Sequence, residues 1–336
     1  MVMNQYQRRK KPLIFLGNFI TLISNRKYNI PIQIVTNGGG DTELAKSNQF
    51  SSTLGLSPKN KLKEREIILS HTPIREALSY YSTLDKSKVP LVLHCSKLHE
   101  IMKYYQIKRY ITDIEYALIF KHIVPNNSIR CYFPIRKQLK SQAERRLGMK
   151  LDSSKPIAIN SIFQITEVLH WEIPAQLCCD LMISTNGIPG TKRRDLSKQL
   201  LTYHIANPDT VYKDVFTLPR YCSGTFLWSL LHLYKRTHNA SFEYVQYGKP
   251  NKTIFDFAKR RIAKQYPNTK ISRYYMIGDN PDVDIKGAND LGITSVLVRT
   301  GIFTGKGNDK RYPAKIVCDN VYEGVKEILK RENILI

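Results

Sequence analysis

The sequence predicts an α/β protein: a parallel sheet with helices on both faces, and a second, smaller α/β unit set into it. Three observations lead there. Apolar strand-like runs alternate with helix-like segments along much of the chain. The turns that close several of these runs are rich in glycine or aspartate, and ligands bind parallel sheets at the carboxyl ends of their strands. Finally, 336 residues amount to about two domains of chain.

The first strand candidate is Ile30-Pro-Ile-Gln-Ile-Val35, which closes on Thr36-Asn-Gly-Gly-Gly40 and leads into a helix-like segment carrying Leu44 and Phe50. A second candidate, Val89-Pro-Leu-Val-Leu-His94, precedes a helical stretch from Leu98 to Tyr105. Residues 121–156 are rich in basic side chains and carry turn signals at Pro125-Asn-Asn127 and Asp152-Ser-Ser154. Beyond them come a strand candidate at Pro156–Ile162, a helix at Ala175–Ser184 and another strand candidate at Leu201–Ala206, which together read as the smaller module. A helical segment is expected at Thr253–Ala263. Arg273-Tyr-Tyr-Met-Ile-Gly278 then reads as a strand running into Asp279, a helix through Ile285 to Leu291, and a strand at Thr294–Val298. The expected division is a basic segment at 1–11, a first core part at 12–104, an inserted unit at 105–217 and a second core part at 218–336.

Charge is the unusual property: 52 Lys and Arg against 28 Asp and Glu give +24. Such a balance directs attention to nucleic acid, an anionic membrane face or a phosphorylated small molecule. The basic residues are nonetheless spread along the chain and in places mixed with acids, as in Lys59–Glu66, so no nucleic-acid-binding signature stands out. Cysteines at 95, 131, 178, 179, 222 and 318 form no C-x-x-C pair, which argues against a zinc site and for a reducing compartment. Polar residues interrupt each apolar run well short of the roughly 20 residues that cross a bilayer, so no membrane span is expected. Residues 1–40 hold six basic residues (Arg8, Arg9, Lys10, Lys11, Arg26 and Lys27) and no Asp or Glu, as a mitochondrial presequence does, although the same stretch also reads as folded protein.

Four local patterns carry chemistry. Thr36-Asn-Gly-Gly-Gly40 presents a hydroxyl and backbone N–H groups at a helix start, a cradle for a phosphate oxygen, although an ordinary glycine turn leaves the same trace. Gly278-Asp-Asn-Pro-Asp-Val-Asp284 clusters carboxylates after a strand, which suits a hard, oxygen-seeking cation such as Mg²⁺ better than a solvated turn in so basic a chain. Tyr247-Gly-Lys-Pro250 sets a lysine where it can counter a phosphate dianion; a surface lysine is the default alternative. Asn207-Pro-Asp209 ends a strand of the smaller module and is either a turn or a substrate contact facing a cleft.

Taken in order, T-N-G-G-G, G-K-P and G-D-N-P-x-x-D resemble the second, third and fourth motifs of the haloacid-dehalogenase-like (HAD) hydrolases. The chain is most similar to subfamily IIA, with a C2-type cap between the second and third motifs. Within it, the chain resembles the cat-eye-syndrome-critical-region-5-like mitochondrial hydrolases of fungi. Ser70-His-Thr-Pro73, Gln176–Gly187, Pro219-Arg220 and Val298-Arg-Thr-Gly301 extend the likeness, which runs from about Pro12 onward. The resemblance implies a Rossmann-like core and Mg²⁺-dependent hydrolysis of a small phosphorylated substrate through an aspartyl-phosphate. Thr36, Asn37 and Gly38 would hold the phosphoryl group and Lys249 would balance its charge. Asp279 and Asp284 would hold Mg²⁺, with Asp282 in a variable slot, and Asn207 and Asp209 of the cap would touch substrate. It also implies a mitochondrial address, with the cytoplasm as the alternative.

The resemblance further implies a D-x-D-G pattern ending the first core strand near residues 2–8. Those residues read Val-Met-Asn-Gln-Tyr-Gln-Arg, and the first carboxylate of the sequence is Asp41. The expectation is therefore a core without its first strand, and a hydrolase-like chain that is truncated or inactive as written. With only Asp279 and Asp284, Mg²⁺ would bind weakly or not at all. The alternative function is a non-catalytic binding or scaffold protein on the same fold, in a mitochondrial assembly with RNA or anionic lipid.

Overall fold

Short apolar runs make the strands of this chain, and the segments between them pack as helices against both faces. The computed structural model describes residues 30–334, apart from 121, 126–128, 213–215 and 304. The basic segment 1–11, and with it the stretch 2–8 where the D-x-D-G pattern would fall, lies outside the described residues. Among the described residues, no helix is long and apolar enough to cross a membrane.

The larger sheet has five parallel strands. In chain order these are β3 (Lys88–Val92), β4 (Ile111–Thr112), β5 (Ala158–Gln164), β6 (Thr202–Ile205) and β9 (Tyr244–Gln246), arranged β4-β3-β5-β6-β9. Their central residues read as apolar runs because both faces are covered. Leu91, Ile162 and Tyr203 face a core built with helices α4 (Asp113–Ile119), α5 (Arg136–Leu147), α6 (Glu172–Ile183) and α7 (Ser223–His238). Val92 and Phe163 point the other way, onto α2 (Ile74–Leu84) and α3 (Leu98–Tyr104). Pro90 sits within β3 and cannot donate to the ladder, and the register against β5 shifts between Val89 and Pro90 to accommodate it. This sheet extends beyond the 105–217 interval at both ends, since β3 and β9 pair with strands inside it. A two-stranded antiparallel ribbon, β7 (Val211–Tyr212) with β8 (Arg220–Tyr221), adjoins it in sequence.

The remaining strands form two smaller parallel sheets: β1 (Ile34–Thr36) with β2 (Ile67–Leu69), and β10 (Tyr275–Gly278) with β11 (Thr294–Val298) and β12 (Ile316–Cys318). The expected strand at Ile30–Val35 is shorter and shifted: residues 30–33 are irregular and Thr36 belongs to the strand. The two sheets share their helix layers. Ile34, Leu69 and Ile277 pack with Phe50 of α1 (Glu43–Thr53) and Val325 and Leu329 of α10 (Val321–Arg331). Val35, Ile68 and Met276 pack with Phe255 and Ala258 of α8 (Lys252–Gln265). Alternate residues thus enter one layer or the other, as the pleat of a strand requires. Among the described strands, β1 and β10 each pair on one side only.

Asp113, at the start of α4, is fully buried; its Oδ1 accepts from His94 N at 2.6 Å and its Oδ2 has no partner among the described residues. Burial pushes its carboxyl up from 3.8 to about 7, against the backbone N–H groups that favour the charge. A folded value above the unfolded one means that the folded state retains a proton the unfolded chain has lost, so this contribution declines as pH rises from about 4 to 7. Asp113→Asn should therefore gain stability over the native chain on going from pH 4.5 to pH 8, by at most about 1.4 kcal/mol per pH unit within that window. Paired denaturant titrations at the two pH values measure it; an identical difference at both would contradict the assignment.

Candidate functional site

The carboxyl ends of β1, β9 and β10 converge, and the turns that follow them carry the residues singled out in the sequence. After β1, the Thr36 Oγ1 accepts from Gly38 N at 3.0 Å, folding the loop back on the strand end. Gly38 itself is exposed at the loop tip, with its N–H already donated to Thr36 Oγ1. The loop then enters α1, whose first turn is capped by Thr42 Oγ1 accepting from Ala45 N at 3.2 Å.

Asn37 is buried and its amide is fully engaged. Its Oδ1 accepts from Lys249 N at 2.8 Å, while its Nδ2 donates to Lys249 O at 2.9 Å and to Asp209 Oδ1 at 3.0 Å. The side chain expected to touch phosphate instead ties the loop after β1 to the turn after β9. That turn demands glycine: a Cβ on Gly248 would lie 2.4 Å from Ala206 O and 2.8 Å from Asn37 Oδ1.

Lys249 is buried as well. Its Nζ donates to Asp284 Oδ1 at 2.6 Å and to Val35 O at 3.0 Å, bridging the end of β1 and the turn after β10. That turn is a single π-helical segment, Pro281–Ile285, which carries Asp284 back beneath Gly278, where any Cβ would sit 2.3 Å from the Asp284 side chain. Asp284 Oδ2 accepts from Asn280 N at 3.1 Å. Asp279 takes Ile302 N onto its Oδ2 at 2.7 Å. Gly301 makes that approach possible, because a Cβ there would stand 1.8 Å from the same oxygen. Burial pushes the Asp279 carboxyl above its ordinary value, opposed by the Ile302 N–H. Asp282 is exposed and pairs with Arg311.

Thr36, Asn37, Lys249, Asp209, Asp279 and Asp284 are thus brought into one neighbourhood. Asp209 joins it through Asn37, and burial raises its carboxyl above the ordinary value, with the Asn37 hydrogen bond and Lys249 opposing. Asn207 stays in its turn: its Oδ1 accepts from Asp209 N at 2.9 Å and its Nδ2 approaches Cys222 Sγ at 3.2 Å. Its side chain is committed to holding Asp209, not to a cleft.

A second polar cluster beneath the loop was not assigned a role by the sequence. Glu43 of α1 is 1 % exposed, and its Oε1 accepts from Thr72 Oγ1 at 2.7 Å and from the Tyr105 hydroxyl at 2.9 Å. The same hydroxyl meets His71 Nδ1 at 2.7 Å. Desolvation holds His71 below its ordinary value, against the pull of Glu43, and its ring lies 3.1 Å from where a Gly39 Cβ would be. The available signal was Ser70-His-Thr-Pro73 directly after β2, together with an acid in the first turn of α1.

Breaking a buried ion pair by removing one partner strands the other charge, at a cost of about 3–5 kcal/mol. Lys249→Met should reduce stability by about that much, and adding Asp284→Asn should recover at least about 1 kcal/mol, because the orphaned carboxylate is gone. Chemical denaturation of the native chain and the two variants tests this; equal stability of the single and double variants would show that the pair does not act as one.

Comparison with known proteins finds relatives along nearly the whole chain. A profile described as HAD-hydrolase-like matches residues 246–324. A cardiolipin synthase (CMP-forming)/mitochondrial hydrolase fusion protein of Schizosaccharomyces pombe is 32 % identical over 317 residues, 93 % of this chain and 49 % of that protein. The chain therefore spans about half the length of the fusion protein. A mitochondrial hydrolase of Saccharomyces cerevisiae is 22 % identical across 96 % of this chain and 92 % of its own. Two solved structures share the fold. One is a possible sugar phosphatase of the HAD superfamily from Cytophaga hutchinsonii, at TM-score 0.57 and 16 % identity over 90 % of this chain and 86 % of that one. The other is a p-nitrophenyl phosphatase from Archaeoglobus fulgidus, at TM-score 0.53 and 14 % identity over 94 % and 92 %. In its strand-end turns, in the matched segment 246–324 and in its relatives, the chain is similar to the HAD-like hydrolases.

Proposed function

We propose that this chain binds a small phosphorylated molecule at the ends of β1, β9 and β10, and that it does not hydrolyse that molecule as its sequence is written. The observation that carries the reading is the meeting of the Thr36 hydroxyl, the Gly38–Gly39 backbone and the Lys249 ammonium in one neighbourhood. A hydroxyl and glycine backbone at a strand end suit phosphate oxygens, and the Lys249 ammonium stands beside them with its charge offset by Asp284. The phosphatase names of the structural neighbours point to the same ligand class. On this reading the five-stranded unit is a C2-type cap, with its ends at about Ile74 and Gln246 rather than at 105 and 217. Asp209 is then the cap residue that reaches the site.

Hydrolysis through an aspartyl-phosphate needs a carboxylate free to attack phosphorus. No Asp or Glu precedes Asp41 in the sequence. Asp284 is engaged at both oxygens and Asp279 at one. The same engagement bears on Mg²⁺, the metal implied by the family. Asp284 is already engaged at both oxygens and Asp279 at one, so a magnesium ion there would be held mainly by water and would bind weakly, and no catalytic step is assigned to it. The names of the fungal relatives support a mitochondrial location.

Purified chain with p-nitrophenyl phosphate and Mg²⁺ should show no turnover above buffer, while an in-frame D-x-D-G strand placed ahead of residue 12 should confer it. Inertness of the extended form would sink the phosphatase-type reading, and turnover by the native chain would sink the claim that it is silent.

A further inference from the structure

Beneath the glycine loop, two fully buried side chains end in polar atoms that have no partner among the described residues: Ser70 Oγ and His71 Nε2. Both face the same place, since a Cβ on Gly39 would stand 3.6 Å from His71 Nε2 and 3.7 Å from Ser70 Oγ. We propose that His71 is a positioning residue for the anion site: its ring, once protonated, donates from Nε2 to the main chain of the glycine loop and holds the loop in the form that takes an anion. The anion is that of the phosphate reading above, on which this assignment rests.

The hydrogen bonds on the far side of the ring fix where its proton sits. Glu43 Oε1 accepts from Thr72 Oγ1 at 2.7 Å and from the Tyr105 hydroxyl at 2.9 Å. The hydroxyl has one proton and gives it to Glu43, so its 2.7 Å contact with His71 makes Nδ1 the donor. A neutral imidazole carries a single N–H, and with that on Nδ1 the Nε2 is a bare lone pair. The main chain of Asp41 favours the charged ring, and because Nδ1 is taken by Tyr105, that contact falls to Nε2. Two acceptors therefore face each other around the neutral ring, and protonation turns that opposition into a hydrogen bond.

The charges around the ring set the sign. Glu43 of α1, Asp41 of the loop and Glu167 beyond β5 favour the cation, while burial opposes it and holds His71 below its ordinary value. Arg75 of α2 lies 5.9 Å from the Tyr105 ring, Arg261 of α8 interacts with both Glu43 and Tyr105, and Lys97 pairs with Asp41 at 2.5 Å, so each offsets part of that acidic pull. An anion at Thr36–Gly40 adds negative charge from the loop side. Binding then draws a proton onto His71, and by reciprocity the proton strengthens binding by the same factor. Affinity rises as pH falls through the range in which the ring titrates, with tenfold per pH unit as the ceiling for one proton.

Sulfate, a dianion throughout that range, is the probe. Its affinity for the full chain should rise at least about threefold from pH 7.5 to pH 5.5, and by less than half as much in His71→Gln. Asp209 and Asp279, whose carboxyls also lie above their ordinary values, are present in both chains, so the difference isolates the ring. An equal rise in both chains would overturn the proposal. Nitrogen-15 shifts of the ring provide an arm without ligand: at pH 8 the native chain should carry its proton on Nδ1, and Tyr105→Phe, which removes the acceptor, should move it to Nε2. A native ring protonated on Nε2 at pH 8 would overturn the assignment whatever sulfate does. Failure of the native chain to bind sulfate at either pH would sink the phosphate reading instead. The contact to the loop would then be judged by hydrogen exchange at residues 39–42, which should slow about threefold, after correction for intrinsic rates, as the ring protonates in the native chain and not in His71→Gln; unchanged exchange would overturn it.

Discussion

The architecture turns on one buried ammonium. Lys249 reaches from the turn after β9 and joins Val35 O at the end of β1 to Asp284 in the turn after β10, so a single side chain links the two small sheets of the core to each other and to the five-stranded unit. Burying two charges is costly, and their attraction repays the cost only when the geometry is good and the remaining valences are filled. Here they are filled: the carboxylate also accepts from Asn280 N, and the ammonium also binds a main-chain carbonyl. The arrangement survives because glycines at 248 and 278 let backbones and side chains approach to distances that a Cβ would forbid.

Around this centre, each strand end contributes something different. β1 supplies a hydroxyl and a run of glycines, β9 the lysine, and β10 the acids. Asn37 fixes the lysine turn by holding both the N–H and the carbonyl of Lys249, which aligns two loops that are 212 residues apart in sequence. The Glu43, Thr72, Tyr105 and His71 cluster lies on the other side of the glycine loop and stiffens its base. The network is only partly satisfied, since Glu43 Oε2 and His71 Nε2 have no partner among the described residues.

Much of this was legible in the sequence. The strand at Thr294–Val298 is found where expected, and the turns at Thr36–Gly40, Tyr247–Pro250 and Gly278–Asp284 do close strands and converge. Apolar periodicity and glycine placement are local signals, and local signals suffice for them. What the sequence hid is long-range. Nothing in Asn37 announces that its amide is engaged by Lys249, and nothing in Asp284 announces that it pairs with the same lysine. The limits 105 and 217 for the inserted unit came from changes in composition, whereas the sheet is defined by pairing, which recruits Lys88–Val92 and Tyr244–Gln246. Pro90 would have argued against a central strand had the bulge beside it not absorbed the missing donor.

The Asn37 to Asp209 hydrogen bond acts as a latch between the glycine loop and the turn after β6. Any rotation that swings the turn at Asp209 away from β1 must break it, and such a bond is worth only about 1 kcal/mol net. Its own share of the holding force is therefore a factor of about five in population. Thermal motion can undo that many times over during the lifetime of the fold, so the entrance to the strand ends is held by a catch rather than a lock.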